Sequence, residues 1–170
     1  MTKCLLYVAA ALFPLVSGAA TVKSPDKQLT VDITSIDGNP VYSVVLENDT
    51  ILSKSPLGFI ADTGDFSHGM KITNVTEDVI KKTYRQDKIK KSSIDYNANV
   101  LKVDFKNDSG NAMTVECRVS NNNVAVRYII PRQNGGETGA MVINEEKTGF
   151  RFPNGTTTFL TPQSDAMIGW

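Results

Sequence analysis

The stretch LKVDFKNDSGNAMTVECRVSNNNVAVRYIIP, residues 101–131, decides the fold class. Leu101, Val103 and Phe105 alternate with lysine and aspartate, and the polar set NDSGN then turns the chain into Met113–Val119. SNNN turns it again into Val124, Val126, Tyr128 and Ile130. Period-two alternation puts apolar side chains on one face of a pleated strand, so these residues predict a three-strand antiparallel meander. Pro131 is expected to end its last strand, because proline cannot donate to a ladder. Cys117 shares the parity of Met113, Val115 and Val119 and is expected to be a buried, inert thiol.

The same period extends upstream. Leu29, Val31 and Ile33 alternate with Thr30, Asp32 and Thr34, the turn set Asp37-Gly38-Asn39-Pro40 follows, and Tyr42, Val44 and Leu46 repeat the pattern as a hairpin. No apolar stripe at helical spacing stands out after the first twenty residues. Short strands separated by polar turns predict an all-β domain, and the sandwich is the expected form. Asp62–Gly69 and Arg132–Gly139 read as loops. At 170 residues one domain is the default, able to bury roughly 68–70% of its unfolded surface.

Eighteen basic residues balance eighteen acidic ones, so no net field draws the chain to nucleic acid or to a membrane surface. Residues 1–20, MTKCLLYVAAALFPLVSGAA, have a basic start, an apolar run from Leu5 to Val16 and a small-residue end, which predicts a cleaved secretory leader and a periplasmic or secreted product spanning 21–170. Cys4 would leave with that leader. Cys117 would then be alone, and no disulfide framework is expected.

The residue types that could carry chemistry are sparse. Asp62-Thr63-Gly64 has the local form of an aspartic protease turn, but such a site needs two carboxylates sharing a proton and the chain has one copy. His68 is the only histidine, and a solvated loop position is expected for it. Glu145 and Glu146 are neighbours and should point to opposite faces of an extended chain. Lys81, Lys82, Arg85, Lys88, Lys90 and Lys91 form one basic run around Tyr84, read as an edge strand guarded by lysine rather than a nucleic-acid surface. Asn48, Asn74, Asn107 and Asn154 open formal glycosylation acceptors. No catalytic, cofactor or metal residue is assigned.

Four motifs occur in order behind the leader: SPDKQLTVDI at 24–33, SPLGF at 55–59, VAVRYIIP at 124–131 and GFRFPNGTTTFLTPQSDAMIGW at 149–170. Together they resemble the amino-terminal domain of glycoside hydrolase family 97 over Val22–Trp170. The resemblance implies a β-sandwich of the galactose-mutarotase-like kind, joined in the full enzyme to a catalytic (β/α)8 barrel that acts on α-linked glucosides or galactosides. It implies a calcium ion near the substrate, and catalytic carboxylates on the barrel. None of those positions matches a residue here, so none is carried over. The family sandwich continues beyond the position of Trp170, and the chain is expected to be a truncated sandwich with open edges and exposed apolar surface. A stand-alone carbohydrate-binding module is the alternative, with Tyr42, Tyr84, Tyr96, Phe66 and Trp170 as candidate sugar platforms.

Overall fold

A computed structural model describes residues 19–85, 88, 90, 92–131 and 140–159. Most of the proposed leader, the whole 132–139 loop and Trp170 lie outside the described residues. Ala20, at the expected cleavage site, pairs with Ile33 as the first residue of a strand.

The described chain is all strand and turn, in eleven strands. The first sheet has the order β1-β2-β3-β4, built from Ala20–Lys23, Leu29–Ile36, Asn39–Leu46 and Asp49–Pro56. The second has the order β10-β9-β8-β7, from Asn123–Ile129, Ala112–Ser120, Ser93–Lys106 and Lys71–Arg85. A small third sheet joins β11 (Ile143–Glu146), β5 (Phe59–Ala61) and β6 (Gly64–Asp65).

The registers keep the alternation in phase, setting Val31 opposite Val44, Ile33 opposite Tyr42 and Val103 opposite Val115. The β2–β3 hairpin turns on Asp37 and Gly38, with φ of 50° and 79°. Positive φ at both central residues gives the turn whose twist matches a hairpin, which explains the Asp-Gly pair. Val31, Ile33, Tyr42 and Val44 on one sheet face Leu101, Val103, Phe105, Val115, Cys117 and Val119 on the other in a single buried cluster. Full burial of each large apolar side chain is worth about 1.5–3 kcal/mol, so this cluster dominates folding. Leu46 departs from the pattern: it is the last residue of β3, half-exposed where the chain turns into β4.

Asp62–Gly69 is more ordered than a plain loop. It contains β6, and Phe66 is fully buried, stacked on Phe59 with ring centroids 4.6 Å apart. That burial removes Phe66 as a sugar platform, and Tyr42, also buried, is removed with it. Pro131 follows the end of β10 as expected.

One feature reaches outside the sandwich. β8 pairs with β9 only as far as Asn99–Val119, whereas β7 and β8 stay paired out to Arg85–Ser93. The two strands therefore continue as an arm, with β7 as the edge of its sheet.

Candidate functional surface

Three places gather polar chemistry. The first is the turn at Asp65, Ser67 and His68. The Ser67 amide and hydroxyl both donate to Asp65 Oδ1, at 2.7 and 2.6 Å, and His68 Nδ1 lies 2.8 Å from the Ser67 oxygen and 3.1 Å from Asp65 Oδ2. A serine–histidine–aspartate relay needs the serine on one ring nitrogen and the carboxylate on the other. Here both meet Nδ1, so the set locks a turn and does not activate a nucleophile. Partial burial raises the Asp65 pKa, but the Ser67 bonds and His68 outweigh it and leave the carboxyl below its usual range. His68 is largely exposed, as expected.

Asp62 sits one strand earlier and is committed to the backbone. Its amide donates to the Val142 carbonyl at 3.0 Å and its carboxylate accepts the Val142 amide at 3.1 Å, which extends the β5–β11 pairing. The Asp-Thr-Gly turn is thus a strand end. Asn107 and Asn74 are likewise engaged: Asn107 closes its turn onto Asn111 and Asp65, and Asn74 donates to Asp104.

The second place is the open flank of the sandwich. Residues 147–151 run beside the end of the first sheet, with the Lys147 amide on Gly58, the Gly149 amide on Pro56 and a bridge between Ser53 and Arg151. Between this segment and β10 lies an apolar groove of roughly 690 Å³, floored by Leu29, Val44 and Leu52 and flanked by Val124, Val126 and Phe150. Two tyrosines tie its walls. The Tyr42 hydroxyl donates to the Gly149 carbonyl at 3.2 Å, and the Tyr128 hydroxyl accepts the Gly58 amide at 2.8 Å and bonds the Thr148 hydroxyl, which bonds Glu146. Burial raises the pKa of both phenols, so they serve as neutral hydrogen-bonding groups. Glu145 turns instead to Lys147, so the two neighbouring carboxylates serve different partners. Phe150, which lines the groove, leaves much of its surface in solvent, as do Phe152 and Phe159 further along the chain.

The third place was hidden by parity. Glu116 lies between core residues Val115 and Cys117 and so faces away from the core, yet its side chain is only 2% exposed. It pairs directly with Lys102 on one side and Arg127 on the other. Arg118 Nε and Arg127 Nε donate to one of its oxygens at 2.7 and 2.8 Å, and Lys102 Nζ is 3.7 Å from the other. Burial raises the Glu116 pKa, and the two guanidinium groups overcome that to hold it below the usual range. The alternation could place Glu116 and Arg118 on one face. Only the register brings Lys102 and Arg127 to them.

Cys117 is fully buried and burial alone pushes its pKa up to about 12, which excludes a thiolate nucleophile. Among the described residues no group of three or more His, Cys, Asp or Glu could hold a metal ion. Tyr84 and Tyr96 share the arm, with ring centroids 6.5 Å apart. Among the described residues no nucleophile–base pair is assembled, and the polar groups serve to lock turns and join strands.

Comparison with known proteins gives these features a setting. The pattern of the glycosyl-hydrolase 97 N-terminal family matches residues 22–168. A probable retaining alpha-galactosidase from Streptomyces bingchenggensis (strain BCW-1) is 30% identical over 138 residues, 79% of this chain and 21% of that protein. The crystal structure of a beta-arabinopyranosidase superposes with a TM-score of 0.80 at 45% identity, covering 89% of this chain and 24% of that one. A glycoside hydrolase family 97 enzyme from Pseudoalteromonas sp. strain K8, in complex with acarbose, superposes with a TM-score of 0.73 at 28% identity, covering 79% of this chain and 20% of that one. The chain spans between a fifth and a quarter of the length of these relatives. It belongs to the glycosyl-hydrolase 97 N-terminal family.

Proposed function

We propose that this chain is the carbohydrate-associated amino-terminal sandwich of a secreted or periplasmic α-glycosidase, and that it supports and borders a catalytic barrel supplied by further polypeptide. The family match over residues 22–168 carries this reading. The open apolar flank supports it, because an exposed ring and a groove on one side of a sandwich are what a larger neighbouring body covers. The substrate class proposed is an α-linked galactoside or glucoside. The probable alpha-galactosidase relative favours the galactoside, and the beta-arabinopyranosidase neighbour makes a β-arabinopyranoside the further class to test.

The chain's own part is structural. A calcium ion is proposed for the whole enzyme, with its ligands expected in polypeptide beyond Trp170, and no residue of this chain is assigned to it. Reading the chain as a free-standing sugar-binding module is weaker, because two of its proposed platforms, Phe66 and Tyr42, are buried in the core.

The test is a pair of preparations: this chain alone, and this chain continuous with whatever coding sequence follows it. Aryl α-galactosides, α-glucosides and β-arabinopyranosides are offered to both. Hydrolysis by the longer product and none by the short one is expected. Turnover by the 170-residue chain itself would overturn the proposal.

A further inference from the structure

The β7 edge has a pattern that neither the sandwich nor the proposed glycosidase role uses. Its central residues read Glu77-Asp78-Val79-Ile80-Lys81-Lys82: two acids, two apolar residues, two bases. All of them lie on the edge strand of the second sheet, all but Ile80 are exposed, and Val79 is 53% exposed despite being apolar. Among the described residues neither Lys81 nor Lys82 has an ion-pair partner in its own chain. The Val79 amide donates to the adjacent Asp78 carboxylate at 2.7 Å, the kind of local acceptor an edge amide takes when no strand lies beside it.

Lysine on an exposed edge normally deters pairing with other strands. This order of charges deters most partners and suits one. In an antiparallel pair formed by two copies of the same edge about a two-fold axis, opposed residues share a face. With the axis at Ile80, Asp78 of each copy stands opposite Lys82 of the other and the two Ile80 side chains meet. With the axis at Val79, Glu77 stands opposite Lys81 and the two Val79 side chains meet. Either neighbouring register matches opposite charges twice and covers apolar surface at the centre. A strand of different sequence gains neither, and a parallel arrangement in register would set lysine against lysine.

We infer that the β7 edge is a self-recognition surface, through which two copies of this chain join their second sheets into one continuous eight-stranded sheet. The interface is isologous, with main-chain hydrogen bonds supplying affinity and the acid–base order supplying register. The proposal does not depend on the glycosidase reading.

Two charge-reversal variants test it. One carries Lys81→Glu and Lys82→Glu, the other Glu77→Lys and Asp78→Lys. Each leaves the core untouched, and circular dichroism checks that both keep the parental strand signal. Sedimentation velocity over a concentration series should show the parent in monomer–dimer exchange and each variant alone with self-association weakened by about tenfold or more, since like charges then oppose each other across the axis. Mixing the two variants should restore a dimer, now made of one acidic and one basic edge. A parent that stays monomeric throughout, variants that dimerise as the parent does, or a folded mixture that fails to pair would each overturn the inference.

Discussion

The Tyr128 hydroxyl accepts the Gly58 amide at 2.8 Å, so a side chain from the edge of the second sheet satisfies a backbone group in the link between β4 of the first sheet and β5 of the third. The ring itself packs edge-on to Phe59, with centroids 5.5 Å apart. Replacing Tyr128 by phenylalanine keeps the ring contact and removes only the hydroxyl. Leaving a partly buried amide without its acceptor costs about 1–3 kcal/mol. The expected result in urea is a lower midpoint with an unchanged slope, because the surface exposed on unfolding does not change. An unchanged midpoint would show that the bond is replaced by water.

Gly58 itself should tolerate no side chain. Its φ is 123°, and a Cβ there would sit 2.6 Å from the Phe66 carbonyl oxygen and 2.7 Å from the Ser67 Cα. Both obstacles are backbone, held by the buried Phe66 ring. Gly58→Ala therefore adds a close contact to backbone strain of about 1–3 kcal/mol, and the total should exceed the loss in Tyr128→Phe. Thermal unfolding of the two variants side by side measures the order. A Gly58→Ala protein as stable as the parent would mean that the turn over Phe66 can move.

Cys117 gives a clean readout of core integrity. In a preparation of residues 21–170, which lacks Cys4, the Cys117 sulfur is inaccessible and its pKa is raised to about 12, so an aromatic disulfide reagent near pH 8 should not modify the folded protein. In denaturant the same thiol should react fully. Rapid native labelling would indicate that β9 opens locally, well short of global unfolding.

Much of this architecture was legible because alternation is a local signal. Val31, Ile33, Leu101, Val103, Phe105, Val115 and Val119 all lie where their parity places them, and Lys81 and Lys82 do mark an edge strand. What could not be read depends on register and on tertiary contact. Phe66, between polar neighbours, looks like a loop aromatic until Phe59 is found against it. Glu116 looks like an ordinary outward-facing charge until the pairing of β8, β9 and β10 sets Lys102 and Arg127 beside it. The long arm of β7 and β8 is a difference in strand length: the SNNN turn marks where β9 stops, but only the register places that stop opposite Asn99 and leaves residues 93–98 of β8 paired to β7 alone.

Glu116 also fixes how the domain should respond to acid. Its folded pKa is depressed, so the stability it contributes is fully present above its unfolded value, about pH 4.3, and is lost as pH falls through the lower folded value. Protonation then removes the acceptor shared by Arg118 and Arg127 and leaves the cations facing one another. Because those cations are partly solvated, the contribution is modest, about 1–3 kcal/mol near neutrality. Glu116→Gln should be less stable than the parent at pH 7 by that amount, and the gap should shrink steadily below about pH 4. Asp65 shifts in the same direction, so both proteins lose stability in acid, and only the difference between them isolates Glu116. Denaturant titrations at pH 7, 5 and 3 on both proteins measure it. A gap that stays constant across that range would show that Glu116 stabilises the sheet by its packing and not by its charge.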